Sequence, residues 1–180
     1  MIDMIIKTAL IGHRVINNSL IRDRLKDAIE KTIEKGCKFF IMGNHGEFDH
    51  LALEICRELK QKCKDLEIVV VLTSLHVFDK VFIDDIPINP YSDVKTTFYD
   101  IEEEHFKRKI IVSNRKMIDE CNNVICYVNE IKSSSGAKLT LKYARKRGLN
   151  IINLYREEDS PTFGMTTEEA LIFWENRIKK

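Results

Sequence analysis

Glycine, histidine and arginine follow the first apolar run of the sequence, where they could bind a ligand. The run Ile5 to Ile11 is followed directly by Gly12, His13 and Arg14. A glycine lets the backbone approach a ligand closely, and an arginine can bind a phosphate through two parallel hydrogen bonds. The alternative interpretation is a turn glycine followed by two surface side chains.

A second glycine-containing segment follows the apolar run Cys37 to Met42 and leads into a helical pattern. It consists of Gly43, Asn44, His45, Gly46, Glu47, Phe48 and Asp49. Glycines at the start of a helix leave backbone N–H groups free, which favours binding of an anion. The carboxylates of Glu47 and Asp49 could bind ribose hydroxyls, or they could complement the helix dipole in its first turn.

A serine-rich segment follows the apolar run Asn123 to Val128. It contains Ser133, Ser134, Ser135, Gly136 and Ala137. Hydroxyl groups and a glycine at the start of a helix form a cradle for phosphate, although the segment is neither a Walker loop nor a G-x-G-x-x-G motif. The alternative interpretation is a solvated loop whose serine caps the helix.

Two charged residues, Arg115 and Asp119, lie four residues apart in the helical pattern before this run. They could pair with each other at the surface, or Arg115 could face the ligand. No pair among the five histidines has metal-ligand spacing, and His45 and His50 lie five residues apart across a turn. The sequence therefore predicts no metal site.

The elements that must position these residues alternate regularly along the chain. Strand-like apolar runs occur at residues 5–11, 37–42, 67–73, 123–128 and 150–155, and helical patterns lie between and after them. Ser19 is predicted to cap the first helix, Gly36 and Gly148 to end the first and the fourth, and Thr166 with Glu169 to form a capping box. The alternation predicts a three-layer Rossmann-like α/β fold, with a central parallel sheet of about five strands and helices on both faces.

The least regular segment is Ser74 to Asp100, which contains Pro87 and Pro90. We interpret it as a flap or pocket wall, followed by a helix from about Ile101 to Cys121. Residues 1–180 are predicted to form one domain. Open parallel sheets bind ligands at the carboxyl ends of their strands, which is where the glycine and serine segments are expected.

Composition limits the classes of partner. A net charge of +1 gives no general electrostatic attraction to nucleic acid or to an anionic membrane. No segment has the length of a membrane span, and the first residues lack the pattern of a secretory signal. Five cysteines without a C-x-x-C pair indicate neither a disulfide framework nor a zinc site. The sequence predicts a soluble cytoplasmic protein.

Four segments, taken in order, carry a more specific likeness. TALIGHR, GNHGEFDHLA, RKMIDECNNVICYV and SSSGAKLTLKYARKRGLNIINL resemble the SLOG superfamily, and within it the small stand-alone YpsA-like branch. The resemblance extends from Thr8 to Leu154 and implies a Rossmann-like fold with a pocket for nucleotides or nucleotide-derived signals. By position it implies ligand contacts from Gly12, His13, Arg14, Gly43, Gly46, Phe48, Asp49, Arg115, Met117, Asp119, Ser135, Gly136 and Ala137.

Two departures from the family pattern bear on activity. Asn44 stands where a second glycine is common, and Ser135-Gly136-Ala137 replaces Gly-Gly-Thr. The lonely-guy phosphoribohydrolases of this superfamily have a catalytic glutamate after their glycine-rich motif, whereas Ala137 to Thr140 contains no carboxylate. The resemblance therefore favours a binding module, either a sensor or a sequestering protein, without a cofactor or assigned catalytic residues.

Other functions stay open at this stage. The main alternative is a nucleotide N-glycosidase of the lonely-guy type, in which Glu47 or Asp49 would supply the missing carboxylate. Nucleic-acid binding, by analogy with the DNA-processing protein DprA of this superfamily, would depend on the basic run Lys142 to Arg147, which a solvated helix face also explains. Apolar patterns on the third and last helices suit a homodimer or a higher homo-oligomer.

Overall fold

The structure, a computed structural model, describes residues 5–16, 19–73, 82–83, 86–87, 89–101, 105–131 and 135–178. Its elements, in chain order, are β1 (Lys7–Gly12), α1 (Ile21–Glu34), β2 (Phe39–Met42), α2 (Glu47–Lys62), β3 (Glu67–Leu72), β4 (Phe82–Ile83), β5 (Ile86–Pro87), β6 (Lys95–Phe98), α3 (Phe106–Asp119), β7 (Asn123–Tyr127), α4 (Gly136–Lys146), β8 (Asn150–Asn153) and α5 (Thr167–Ile178). A short 3-10 helix, Glu157–Asp159, lies between β8 and α5.

Six of these strands form one parallel sheet in the order β6-β3-β2-β1-β7-β8. β4 and β5 form a separate antiparallel pair. The predicted Rossmann-like α/β class is therefore confirmed. The chain adds strands on one side of β1 as far as β6 and then returns to the other side with β7, so the strand order reverses between β1 and β7. Ligands of open parallel sheets bind at such a reversal.

The sixth strand, β6, lies inside the segment that was predicted to be a flap or pocket wall. Its sequence is KTTF, and three of its four residues are exposed. It pairs with β3 at the edge of the sheet, so it lacks the apolar run of a buried strand. Much of the remaining Ser74 to Asp100 segment lies outside the described residues.

Two apolar clusters hold α1 and α2 against one face of the sheet and α3 and α4 against the other. Successive side chains of β1 point to opposite faces of the sheet. Leu10 packs with residues of α1 and α2, whereas Ala9 and Ile11 pack with residues of α3 and α4. The cysteines are free, and all of them except Cys63 are buried. Within the described ranges, no helix combines the length and the apolar character that a membrane crossing needs.

The helix boundaries confirm most of the predicted signals. Gly36 and Gly148 have φ values of +92° and +73°, in the left-handed region that ends helices. Glu169 accepts a hydrogen bond from the Thr166 N–H at 2.8 Å and donates its own N–H to Thr166 Oγ1 at 3.3 Å, which completes the capping box. The prediction for Ser19 was wrong, because Leu20 occupies the N-cap position of α1 without a side-chain cap.

Candidate functional site

A large cavity lies at the carboxyl ends of β1, β2 and β7, where the strand order reverses. Its volume is about 970 Å³, at the upper end of the roughly 300–1,000 Å³ that is usual for small-molecule sites. The ends of the three strands contribute Gly12, Gly43 and Tyr127 to its lining. Further walls come from the start of α3, the start of α4, the segment after β8, and α5.

Most of the residues predicted from the sequence meet at this cavity. Those that line it are Gly12, His13, Arg14, Gly43, Gly46, Asp49, Ser135, Gly136 and Ala137. They come from three separate segments, so the sheet brings together the glycine and serine segments as expected. Ser133 and Ser134 lie outside the described residues.

The other predicted residues of the second glycine segment do not line the cavity. Glu47 donates its N–H to the Arg14 carbonyl at 2.9 Å, and its carboxylate accepts the Ile16 N–H at 2.7 Å. Glu47 therefore joins the loop after β1 to the start of α2. Phe48 is fully buried and stacks on Tyr127, with ring centroids 6.4 Å apart. Asn44 has a buried Oδ1 without a hydrogen-bond partner in the part of the chain that the structure describes.

Arg115 and Asp119 lie on the outer surface of α3, against α4. The Arg115 guanidinium lies 5.5 Å from the centroid of the Tyr143 ring, and the Tyr143 hydroxyl donates to Asp119 at 2.8 Å. Arg147 forms an ion pair with Asp119 at 2.9 Å. Neither residue lines the cavity. The phase of α3 instead presents Asn114 to it, one position before Arg115.

A side chain added at the glycines of the site would meet different neighbours at different positions. A Cβ added to Gly12 would lie 2.3 Å from Cγ of Phe48, and one added to Gly46 would lie 2.7 Å from Cα of Arg14. Packing within the protein therefore requires glycine at both positions. At Gly136 the nearest atom of the described residues would be Cγ1 of Ile111 at 4.0 Å, so these residues leave the position sterically open. Among the described residues, those around Gly136 leave space for a ligand to approach the backbone, whereas Gly12, Gly43 and Gly46 each have a neighbour within 3.0 Å of an added Cβ.

The start of α4 combines a helix cap with a wall of the cavity. Ser135 is the N-cap of α4, and its Oγ accepts the Lys138 N–H at 3.2 Å. The interpretation of this serine as a helix cap is confirmed. The first residues of α4, Gly136 and Ala137, also line the cavity, and the N–H groups of a first helical turn favour an anion.

His13 joins the loops that follow β1 and β7. The imidazole Nε2 of His13 accepts the backbone N–H of Asn129 at 2.8 Å. The backbone N–H of His13 donates to the Tyr127 carbonyl at 3.2 Å. A neutral imidazole that accepts at Nε2 carries its proton on Nδ1. His13 therefore positions the two loops where the strands diverge.

Burial shifts the pKa values of two side chains at the cavity. Burial raises the pKa of Asp49 to about 6. The N–H groups of His45 and Gly46 stabilise the carboxylate and oppose this rise. Burial and the nearby Arg14 guanidinium lower the pKa of His45 to about 4. The imidazole of His45 is therefore neutral at pH 7, and its Nε2 lies 2.6 Å from the Thr73 hydroxyl.

Cations exceed anions in the described lining of the cavity. Arg14, Lys107 and Arg177 contribute positive charge, and Asp49 is the one carboxylate among the described lining residues. Within the described ranges, none of the three cations has a carboxylate within ion-pair distance. Basic residues elsewhere commonly have such partners, as in the Arg145–Glu130 ion pair. An excess of cations at a cavity favours an anionic ligand.

Sequence reasoning missed the contributions of α5 and of the segment after β8, and on α3 it named Arg115 instead of the residues that line the cavity. The missed lining residues of these three elements that carry polar or aromatic groups are Lys107, Asn114, Tyr155, Ser160, Thr162, Trp174 and Arg177. The one available signal was on the last helix, where Trp174 and Arg177 have the i, i+3 spacing of a shared face. This helix lies beyond the segment that carries the family resemblance.

The described residues contain no group of three or more histidine, cysteine, aspartate or glutamate side chains that could hold a metal ion. No protein-family model matches the chain, and no curated protein matches it. The similarity to the SLOG superfamily therefore stays a prediction.

Proposed function

We propose that this protein binds a nucleotide or a nucleotide-derived signalling ligand in the strand-end cavity, as a sensor or sequestering module of the SLOG type. The observation that carries the proposal is the combination of position and charge. A cavity of about 970 Å³ lies at the reversal of strand order, and Arg14, Lys107 and Arg177 line it without ion-pair partners in the described chain. A large ligand with anionic groups satisfies both features.

In this proposal the anionic group of the ligand lies at the start of α4. The N–H groups of Gly136 and Ala137 and the nearby hydroxyl of Ser135 would bind phosphate, and Arg14 would supply the opposite charge. Asp49 would accept hydrogen bonds from the sugar hydroxyls.

Thermal unfolding in the presence of a ligand panel tests the proposal. The panel contains nucleoside monophosphates, ADP-ribose, NAD and cyclic nucleotides. A ligand at about 100 times its dissociation constant adds about 2.7 kcal/mol and raises Tm by a few degrees. Arg14→Ala is expected to weaken binding of such a ligand about tenfold, because a charge-assisted hydrogen bond is lost.

Lys142→Ala provides the matched control for Arg14→Ala. It removes the same charge from an exposed position of α4 that does not line the cavity. The proposal fails if no compound of the panel raises Tm. The assignment of the site fails if the Arg14 and Lys142 variants bind a stabilising compound equally well.

Asp49 favours a second candidate function, cleavage of the N-glycosidic bond of a nucleotide. The carboxyl of Asp49 lines the cavity and burial raises its pKa to about 6, whereas Glu47 is held outside by the Ile16 N–H. A carboxyl with such a pKa can act as an acid or a base near neutral pH. Chromatography of nucleoside monophosphates after incubation would detect the released base. Release that persists in Asp49→Asn, or no release at all, would contradict this candidate.

The predicted homodimer is a separate part of the proposal. On α5, Leu171 and Ile172 are 59% and 53% exposed, which suits an interface with a second copy of the chain. Sedimentation equilibrium tests this part of the proposal, because a monomer has a mass of 21.0 kDa and a homodimer has twice that mass.

A further inference from the structure

α5 adds an aromatic surface and a cation to the cavity while contributing little to the core. None of the side chains described in this helix is buried. Trp174 and Arg177, however, both line the cavity. They are three residues apart and therefore lie on the same face of the helix. Core packing does not explain why a tryptophan occupies this position.

Phe173 contacts both of these side chains. Its ring makes an edge contact with the indole of Trp174, with centroids 5.3 Å apart and planes at 82°. The guanidinium of Arg177 lies 4.9 Å from the centroid of the Phe173 ring. Phe173 thus holds an indole and a cation beside each other at the cavity wall.

Trp174 has the most accessible aromatic ring among the described lining residues. Tyr127 is 2% exposed and already stacks on Phe48. Tyr155 packs against Tyr127, with ring centroids 5.2 Å apart, and its hydroxyl accepts a hydrogen bond from Asn129. Trp174 is 40% exposed.

We propose that Trp174 is the stacking surface for the planar base of the ligand, and that Arg177 binds an anionic group next to that base. The inference rests on the proposed function and narrows it. The ligand must carry a planar aromatic ring as well as negative charge, which a sugar phosphate alone does not. An accessible indole beside a cation is the combination with which proteins bind nucleobases without reading their identity.

The sequence provides a direct spectroscopic test, because Trp174 is the single tryptophan of the chain. The probes are AMP and ADP-ribose, compared with ribose 5-phosphate, which carries the anion without a base. AMP or ADP-ribose is expected to change the tryptophan emission with the same midpoint as its effect on Tm. Ribose 5-phosphate is expected to raise Tm at high concentration without changing the emission.

Variants of α5 separate stacking from a general structural effect. Trp174→Ala is expected to weaken binding of AMP or ADP-ribose by about tenfold or more and to leave the affinity for ribose 5-phosphate unchanged. Trp174→Phe keeps an aromatic face and should retain most of the affinity. Asn176→Ala is the matched control, since Asn176 is exposed on the same helix and does not line the cavity.

The outcomes distinguish failure of this inference from failure of the proposed function. If AMP or ADP-ribose raises Tm while the tryptophan emission stays constant, the ligand site stands and the stacking role of Trp174 is wrong. Equal losses of affinity for the nucleotides and for ribose 5-phosphate in Trp174→Ala would also overturn the inference. If no compound of the nucleotide panel raises Tm, both proposals fall.

Discussion

Glycines at the candidate site differ in what a side chain would meet there. A Cβ at position 12 would collide with the buried ring of Phe48 at 2.3 Å, and that ring is stacked on Tyr127 and has no room to move. Gly12→Ala is therefore expected to reduce the free energy of unfolding by about 2 kcal/mol or more, as overpacked cores do. Urea unfolding measures this loss.

Gly136→Ala is the matched comparison, because among the described residues the added methyl group would meet only Ile111, at 4.0 Å. Its free energy of unfolding is expected to stay within about 0.5 kcal/mol of the wild type. If a ligand approaches the backbone at Gly136, the variant should lose affinity at unchanged stability. Equal destabilisation by Gly12→Ala and Gly136→Ala would contradict the packing argument.

Asp49 gives a prediction for the dependence of stability on pH. Burial raises its pKa from 3.8 to about 6, so the folded state binds the proton more tightly than the unfolded chain. The stabilisation from the protonated group is complete below about pH 4 and is lost as the pH rises through about 6. The free energy of unfolding of Asp49→Asn, taken relative to that of the wild type, should therefore rise by up to about 3 kcal/mol as the pH increases from about 4 to about 6.

Urea unfolding of both proteins at about pH 4 and about pH 7 measures this difference. Asp23→Asn provides the control, since Asp23 is an exposed aspartate on α1 that does not line the cavity. A constant difference between Asp49→Asn and wild type at the two pH values would show that the folded protein does not raise the pKa of Asp49.

At the scale of elements, one buried ion pair fixes the segment that follows β8. Arg24 of α1 donates to both carboxylate oxygens of Asp159, at 3.0 and 2.6 Å, and to the Leu154 carbonyl at 2.8 Å. Asp159 is 3% exposed. The pair holds in place the residues between β8 and α5 that line the cavity, among them Tyr155 and Ser160.

Removing the cation of this pair is expected to be costly. Arg24→Met leaves the buried Asp159 carboxylate without its guanidinium and should reduce the free energy of unfolding by about 3 kcal/mol. Lys31→Met is the control on the same helix, because the exposed Lys31–Asp27 pair should contribute little. In the double variant Arg24→Met, Asp159→Asn, part of the loss should be recovered, and strictly additive effects in urea unfolding would contradict this coupling.

The sequence predicted elements where local signals are strong and missed them where contacts are tertiary. The left-handed glycines 36 and 148 and the Thr166–Glu169 box depend on local backbone geometry, so they were predictable. β6 was missed because KTTF is polar and becomes a strand only by pairing with β3 at the sheet edge. At α1 the chain begins its helix after Leu20 without the side-chain cap that Ser19 indicated.

At the scale of the whole molecule, the parallel sheet explains why part of the site was predictable. The carboxyl ends of parallel strands must meet at one edge, so segments that follow β1, β2 and β7 were expected to come together. The phase of a helix is harder to infer, and α3 presents Asn114 to the cavity rather than Arg115. The contribution of Trp174 and Arg177 depends on where α5 packs, which no local pattern specifies.

The distribution of charge over the molecule gives a last prediction. The chain has a net charge of +1, yet three cations and one carboxylate line the described part of the cavity. The attraction for an anionic ligand is therefore local and should be screened by salt. Raising the salt concentration from about 0.1 M to about 1 M shortens the Debye length from about 10 Å to about 3 Å. Binding of AMP should weaken about tenfold over this range, as measured by titration of the tryptophan emission or of Tm.

Adenosine separates charge from stacking in this experiment, because it carries the same base without the phosphate. Adenosine is expected to bind more weakly than AMP. Its affinity should change little with salt, because it contacts the protein through apolar and stacking interactions. In Arg14→Ala, the salt dependence for AMP should become shallower, because one of the three cations is gone, whereas Lys142→Ala should keep the wild-type dependence. Equal salt dependence for AMP and adenosine would mean that the three cations at the cavity do not bind the phosphate, and the electrostatic basis of the proposed site would be lost.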